Sequence, residues 1–420
     1  IAILILTTLY VVIRTIIFQR AHKAVVKIEG IPVDEQKVAE HLAASVRCKT
    51  VPLDEKGTPD PEAFKQLHQM LEETYPLVHQ KLRREVVNGY SLLYIWQGTR
   101  ADLEPVMEMA HQDVVSADPI EWTHPPFEGK IVDDFIWGRG TLDIKNQLIG
   151  IMEAAETLLK QGFRPERTIL FGLGHDEETG GVNGSKIVGE ELKKRGIHLT
   201  GIVDEGGGIG RGLVPGMRGN FAMIGVSEKG DLTVEFTVNS APGHYSTPPP
   251  QTAIGILSRA MTRLEAHPMP THLRRIRPVY HGVGKAVPFY IQIAFANIWL
   301  FGPLLKRWLV PDININASIR TTTALTIING GREDNTIPPD AKATVNFRLL
   351  PGDTIADVLW HAKKVIHDER VHIKPVEGKF NEALPVSSDV CVEYKSLSYV
   401  IRQVFDNPPV VPFIMLGGTD

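Results

Sequence analysis

The stretch Thr168-Ile-Leu-Phe-Gly-Leu-Gly-His-Asp-Glu-Glu-Thr-Gly-Gly181 joins an apolar run to two adjacent acids braced by glycines. Thr168–Leu173 reads as a buried strand, and Glu177 and Glu178 fall in the turn beyond it. Working outward, Ser185–Lys194 has helical spacing and Leu199–Val203 is a second apolar run. Upstream lies a long amphipathic segment, Leu142–Lys160, closed by Gly162, and before it the strand-like runs Tyr90–Trp96 and Pro105–Ala110. Val38–Val46 and Pro61–Leu82 read as helices, with Pro61 at a first-turn position where a missing N–H costs nothing. Alternating strands and helices predict an α/β fold, a mostly parallel sheet flanked by helices. Downstream, Asp231–Asn239 and Ala343–Leu349 alternate as half-buried strands around a helix at Thr252–Glu265, which predicts a smaller inserted α+β domain. Thr354–His367 reads as a helix, and Val410–Leu416 as a strand returning to the main sheet. The expected organisation is an N-terminal segment (1–20), a catalytic domain in two parts (30–226 and 353–420) and an insert (227–352).

A chain of 420 residues is long enough for this arrangement, and 43% hydrophobic with 22% charged residues is ordinary for a globular enzyme. The formal charge of −4 gives no basic excess, so no nucleic-acid partner is expected. Cys48 and Cys391 are the only cysteines, which excludes a disulfide framework and a thiolate metal site. Any metal must be held by His, Asp and Glu. Ile1–Phe18 is apolar with one charge, Arg14, and is followed by Arg20 and Lys23. It reads as a membrane anchor or a cleavable signal, against the plainer reading of a core helix. The catalytic part is then expected outside the cytoplasm, anchored or secreted. Trp299–Val310 is apolar too, but broken by Gly302, Pro303, Lys306 and Arg307.

Four segments place acids or a histidine at ends of predicted strands, where ligands gather in open α/β sheets. They are Met109-Ala-His111-Gln-Asp113, Trp137-Gly-Arg-Gly140-Thr-Leu-Asp143, Gly174-His-Asp-Glu177-Glu178 and Ile202-Val-Asp204-Glu205-Gly206. His-x-Asp offers an imidazole with a carboxylate to orient it; alone, it equally suits a surface loop. Asp143 before a helix equally suits an N-cap. Adjacent carboxylates after an apolar strand are costly unless a cation neutralises them. The run Gly206-Gly-Gly-Ile-Gly210-Arg-Gly212 lacks dinucleotide spacing and is rejected as such a site.

Taken in order, these four segments resemble the aminoacylase/carboxypeptidase S metallopeptidase family from about Val38 onward. Trp122-x-x-Pro125-Pro126-Phe127 and Ser227-Glu-Lys-Gly230 fit the same pattern. Arg320-Thr-Thr-Thr-Ala-Leu-Thr326 and Thr344-Val-Asn-Phe-Arg348 look most like its N-fatty-acyl-amino-acid synthase/hydrolase branch. The resemblance implies a zinc-peptidase-like fold with a lid and dimerisation domain, and two Zn2+ per subunit. His111 would bind one zinc together with Asp204, Glu178 the second, and Asp143 would bridge them. Asp113 would orient His111, and Glu177 would be the general base. His244, in Gly243-His-Tyr-Ser246, matches the histidine that one subunit's lid lends to the other's site; by itself it also suits a turn. Asn335 and Arg348 match positions that hold the substrate carboxylate, although Arg348 alone reads as a strand-edge arginine. His124 and His175 are expected outside the ligand set. The family pattern also needs a second histidine near the C-terminus, expected beyond Asp420. The implied activity is hydrolysis, and reverse formation, of the amide bond in N-acyl amino acids, small-molecule substrates with a fatty acyl group. Cleavage of short peptides on the same machinery is the rival, and a non-catalytic binding protein on the same fold is the rival of another class. The apolar segment Ala286–Val310, placed in the insert, would line an acyl pocket, touch a membrane or be plain core.

Overall fold

The computed structural model describes residues 1–18, 24–54, 56–212, 214–217 and 219–420. Arg20 and Lys23, the expected basic flank, lie outside the described residues. The chain divides into two compact units, one of residues 29–206 with Thr419 and Asp420, the other of residues 1–28 and 207–418. The chain's first helix, α1 (Ala2–Phe18), belongs to the second unit.

In the unit of residues 29–206, helices α2 (Glu35–Arg47), α3 (Pro61–Thr74) and α4 (Pro76–Lys81) precede strands β1 (Arg83–Val87), β2 (Ser91–Trp96) and β3 (Val106–His111). The hairpin β4 (Lys130–Val132) and β5 (Phe135–Trp137) leads to helix α5 (Lys145–Lys160). Strand β6 (Ile169–Gly174), helix α6 (Ser185–Lys194) and strand β7 (Gly201–Val203) complete it. The sheet runs β1-β2-β6-β3-β7. It is mixed: β6, β3 and β7 are parallel, while β1 and β2 run antiparallel at the other side. Both faces are covered. Leu92, Tyr94, Trp96, Phe171 and Leu173 pack with Leu67 and Leu148 on one face, and Leu93, Met107, Leu170 and Leu192 pack on the other. That is why these strands read as continuous apolar runs. The segment expected as one helix from Pro61 to Leu82 is two. Pro76 lacks an N–H and pushes Tyr75 to φ −121° and ψ 64°, outside the helical region. The carboxylate of Glu156, on α5, then accepts from the backbone N–H groups of Leu77 and Val78 at 3.0 Å each and starts the second helix.

The other unit contains strands β8 (Gly208–Arg211), β9 (Asn220–Glu228), β10 (Gly230–Asn239) and β11 (Gly243–His244), then helices α7 (Ala253–Ala266), α8 (Arg277–Val283), α9 (Phe289–Ala296), α10 (Ile298–Leu309) and α11 (Ile313–Ser318). Strands β12 (Thr322–Gly330), β13 (Thr336–Ile337) and β14 (Asp340–Leu349) follow, then helix α12 (Ile355–Ile366), strand β15 (Val371–Asn381), helix α13 (Val392–Val404) and strand β16 (Val410–Met415). A four-stranded antiparallel sheet, β12-β14-β10-β15, is covered by α7 and α12. The alternation read in sequence is the burial pattern: Leu232, Val234, Phe236 and Val238 point into this core. The sheet continues past residue 352, because β15 pairs with β10. Strand β16 does not return to the five-stranded sheet. It pairs in parallel with β9 in a separate sheet, β16-β9-β8. The apolar segment expected in the insert packs instead with Phe221 and Val411 of that sheet, in a cluster that also takes Phe18. Helices α9 and α10 meet at a bend of 115°. Among the described residues no single helix is long and apolar enough to cross a membrane; α1 has 17 residues.

Candidate metal centre

The parallel strands bring the motifs together. His111, last residue of β3, is the register partner of Gly174, last residue of β6, and β7 pairs with the other side of β3. All three strands therefore end on one edge, and the acids that follow them share it. His111 is 2% exposed. Its Nδ1 faces the main-chain oxygen of Asp113 at 2.9 Å and that residue's carboxylate at 3.5 Å. Its Nε2 faces Asp143 Oδ1 at 3.1 Å, Glu205 Oε2 at 3.7 Å and Glu177 Oε2 at 3.8 Å. Asp113, fully buried, also accepts from the backbone N–H groups of Glu177 and Glu178 at 3.2 and 3.1 Å. One carboxylate thus locks the turn that presents both glutamates.

Among the described residues, two groups of ligand atoms lie within 4.8 Å of one another, His111–Asp143–Glu205 and His111–Glu177–Glu178. They share the histidine. Asp204, the expected ligand, sits beside them: the hydroxyl of Thr419 donates to the Asp204/Glu205 pair, at 3.2 Å from Asp204 Oδ2 and 2.7 Å from Glu205 Oε1. Glu205 was legible only as the neighbour of Asp204, since sequence does not say which of two adjacent acids turns inward. His175 lies outside both groups, its Nδ1 2.7 Å from Ser91 Oγ and its ring against Phe64 and Tyr90. His124 stacks edge-on against Trp137.

The electrostatics suit a cation. Burial, together with the charges of Glu205 and Glu178, pushes the Glu177 carboxyl up to about 8. Burial also raises Glu178, Asp204 and Glu205 above the usual carboxylate range. Burial alone would lower His111, but Asp113, Glu205 and Glu177 outweigh it and hold the imidazole at about 10. Acids crowded in this way repel each other's ionised forms, and a divalent cation among them reverses that. One imidazole among carboxylate oxygens is a donor set for a borderline or hard divalent metal.

The remaining expected site residues lie in the other unit. His244, on β11, is the register partner of Thr336, and the N–H of Tyr245 donates to the main-chain oxygen of Asn335 at 3.3 Å. This small two-stranded ladder therefore brings His244 and Asn335 together, both exposed. His244 Nδ1 lies 2.8 Å from Ser246 Oγ. Arg348 stands apart from them on β14, 3.4 Å from Asp231. Close to it is Lys229, 5% exposed, whose ammonium donates to the Arg320 oxygen at 2.8 Å. Burial, then the charge of Arg348, lowers the Lys229 ammonium to about 8.

An α/β sheet whose parallel strands deliver a histidine and several carboxylates to one edge suits a metal-dependent hydrolase. The model of peptidase family M20/M25/M40 matches residues 107–413, and the chain belongs to that family. It is 40% identical over 392 residues to the N-fatty-acyl-amino acid synthase/hydrolase PM20D1 of Xenopus tropicalis, covering 92% of this chain and 76% of that one. It is 39% identical to the "Probable carboxypeptidase S-like 2" of Dictyostelium discoideum, covering 91% and 75%. In fold it is similar to the M20 family metallo-carboxypeptidase Sso-CP2 from Sulfolobus solfataricus, with a TM-score of 0.59 at 19% identity over 93% and 87% of the two chains.

Proposed function

We propose that this protein hydrolyses, and in reverse forms, the amide bond of N-fatty-acyl amino acids with the help of two zinc ions. The observation that carries the substrate is the 40% identity with an N-fatty-acyl-amino acid synthase/hydrolase across nearly the whole chain. His111 and the Asp204/Glu205 pair would hold one ion, Glu178 the other, with Asp143 shared between them. Bound there, such ions supply Lewis-acid chemistry, polarising the amide carbonyl and acidifying water. The chain's own groups do the rest. Asp113 fixes His111 and the turn of Glu177 and Glu178. Glu177 takes the proton from the attacking water and gives it to the departing amine. Arg348 holds the free carboxylate, for which a guanidinium fork is the natural partner, and Asn335, beside His244, reaches it across the same homodimer as His244. His244 donates to the carbonyl oxygen across a homodimer formed by the domain expected at residues 227–352. The apolar α1 supports a membrane anchor or a secretory signal, and with either an extracytoplasmic site.

The zinc-loaded protein is expected to release phenylalanine from N-oleoyl-phenylalanine, and Glu177→Gln to lose at least about a hundredfold in kcat. The likeness to carboxypeptidase S-like proteins favours a second reading, cleavage of short peptides. A preference for Gly-Leu over N-oleoyl-phenylalanine in kcat/KM selects it.

A further inference from the structure

We propose that α1, α9 and α10 form one face that docks on a bilayer carrying anionic phospholipids, with the bent pair α9 and α10 entering the interface beside α1. This does not depend on the hydrolytic reading. All three helices belong to one unit of the chain. Helix α1 packs through Val11, Thr15 and Phe18 and leaves Ile3, Leu4, Leu6, Leu9, Ile13 and Ile17 exposed. A helix face that meets water is polar, and a helix apolar all round belongs in protein or in lipid. The hydroxyls of α1 are satisfied from within, Thr7 donating to Ile3 O and Thr8 to Leu4 O at 2.9 Å each, as a hydrocarbon medium requires. On α10, Leu305 and Leu309 point inward while Trp299, Leu300, Leu304 and Trp308 are exposed, and Tyr290 of α9 is 71% exposed.

The two apolar surfaces are joined. At the bend between α9 and α10, Asn297 is fully buried, and its side-chain amide donates to α1, lying 3.2 Å from Thr15 Oγ1 and 3.3 Å from Val11 O. Arg14 of α1 donates to Ala296 O at 3.3 Å and to the Tyr10 hydroxyl at 3.0 Å. The Tyr10 and Trp299 rings lie 6.3 Å apart. A contiguous apolar face of this kind marks a docking surface, and its charge says what docks. Residues 1–28 carry Arg14, Arg20, Lys23 and Lys27 and no acid. Residues 266–311 carry Arg274, Arg275, Arg277, Lys285, Lys306 and Arg307 and no acid, in a chain whose formal charge is −4. Lys27 is paired, with Asp406 at 2.8 Å. Lys306 and Arg307 are exposed in the last turn of α10, where long stems carry their charges to the headgroups while Trp299 and Trp308 sit at the interface. A second copy docked on this face would bring the same cations together. Anionic headgroups neutralise them instead, each basic group near the surface strengthening binding about fivefold.

The test uses the full chain, diluted from detergent into vesicles of phosphatidylcholine, alone or mixed with phosphatidylserine. Binding read by cosedimentation is expected to be at least about tenfold tighter with phosphatidylserine, and to weaken as salt rises. With α1 intact, Leu304→Glu and Trp308→Glu are each expected to lose at least about tenfold in vesicle affinity, and Lys306→Glu to narrow the gap between the two vesicles. Circular dichroism and melting check that these variants are folded. A further measurement needs no loss of binding: phosphatidylcholine with brominated acyl chains, in the mixed vesicles, is expected to quench tryptophan fluorescence more in the wild type than in a variant with both Trp299→Phe and Trp308→Phe. Equal binding to both vesicles, or equal quenching in the two proteins, overturns the proposal. Folded α10 variants that bind like the wild type also overturn it and leave α1 alone as the membrane contact. Self-association that Leu304→Glu and Trp308→Glu abolish, with no binding to either vesicle, overturns it in favour of a second copy of this chain.

Discussion

Asp113 makes the contacts on which the other site residues depend. Its carboxylate takes two backbone N–H bonds from Glu177 and Glu178, and its own main-chain oxygen faces His111 Nδ1. Asp113→Asn keeps the main-chain contact but replaces one acceptor oxygen with a donor aimed at a backbone N–H. We expect kcat/KM and metal affinity to fall about 10–100-fold, measured by steady-state assay and chelator competition. A second comparison concerns the neighbouring acids. Glu205 Oε2 is 3.7 Å from His111 Nε2, while Asp204 is in neither ligand group. Glu205→Gln is therefore expected to cost more bound metal than Asp204→Asn, as read by elemental analysis after dialysis; the reverse order returns the ligand role to Asp204. The contrast shows what was legible. The convergence of His111, Asp143, Glu177 and Glu178 could be read from the sequence because strand ends and glycines leave such side chains one direction to point. Asp204 and Glu205 differ only in side-chain length and in the rotation of a short strand's last peptide, which spacing does not record. Lys229 carries no such signal, because its burial depends on strands more than a hundred residues away.

At the scale of elements, the strands of the five-stranded sheet and their flanking helices were readable because each buries its own periodic face. Contacts made at a distance were not. Glu156 reads as an ordinary charge on an amphipathic helix, yet it is 3% exposed and starts α4 by accepting from two N–H groups. Glu156→Ala leaves those donors without their acceptor. A loss of about 1–3 kcal/mol in unfolding free energy is expected, measured by urea titration, with Glu156→Gln losing less because its amide oxygen still accepts. Strand β16 escaped correct placement for a related reason. Val410–Met415 has the apolar character of any core strand, and pairing with β9 is decided by the neighbouring chain at Ala222–Glu228. Helices α9 and α10 were misplaced likewise: their apolar faces fit any core, and they found Phe221 and Val411.

Two properties of the folded molecule follow from groups it holds out of water. Lys229, with Arg348 and Asp353 the charged groups acting on it, titrates at about 8 in the fold against an ordinary 10.5. Between those values the unfolded chain binds more protons than the folded one, so this group adds stability as pH rises through that window. Relative to Lys229→Met, the wild type is expected to gain on the order of 1 kcal/mol between pH 7.5 and 9. Urea midpoints of the two proteins at both pH values check this, and a constant difference refutes it. The larger effect belongs to the metal centre. Glu177, Glu178, Asp204 and Glu205 all have carboxyls raised by burial, so folding without a cation works against their ionised forms. A metal that binds the folded arrangement and not the dispersed ligands stabilises it by mass action, about 2.7 kcal/mol at a hundred times its Kd. Stripping it with a chelator is expected to lower Tm by roughly 5–10 °C for a unit of this size. Zinc should restore the loss in the wild type and fail to do so in a variant with both Asp143→Ala and Glu178→Ala. Identical melting of the stripped and loaded wild type would show that the acidic edge of the sheet holds no metal, and the hydrolytic reading would lose its chemical basis.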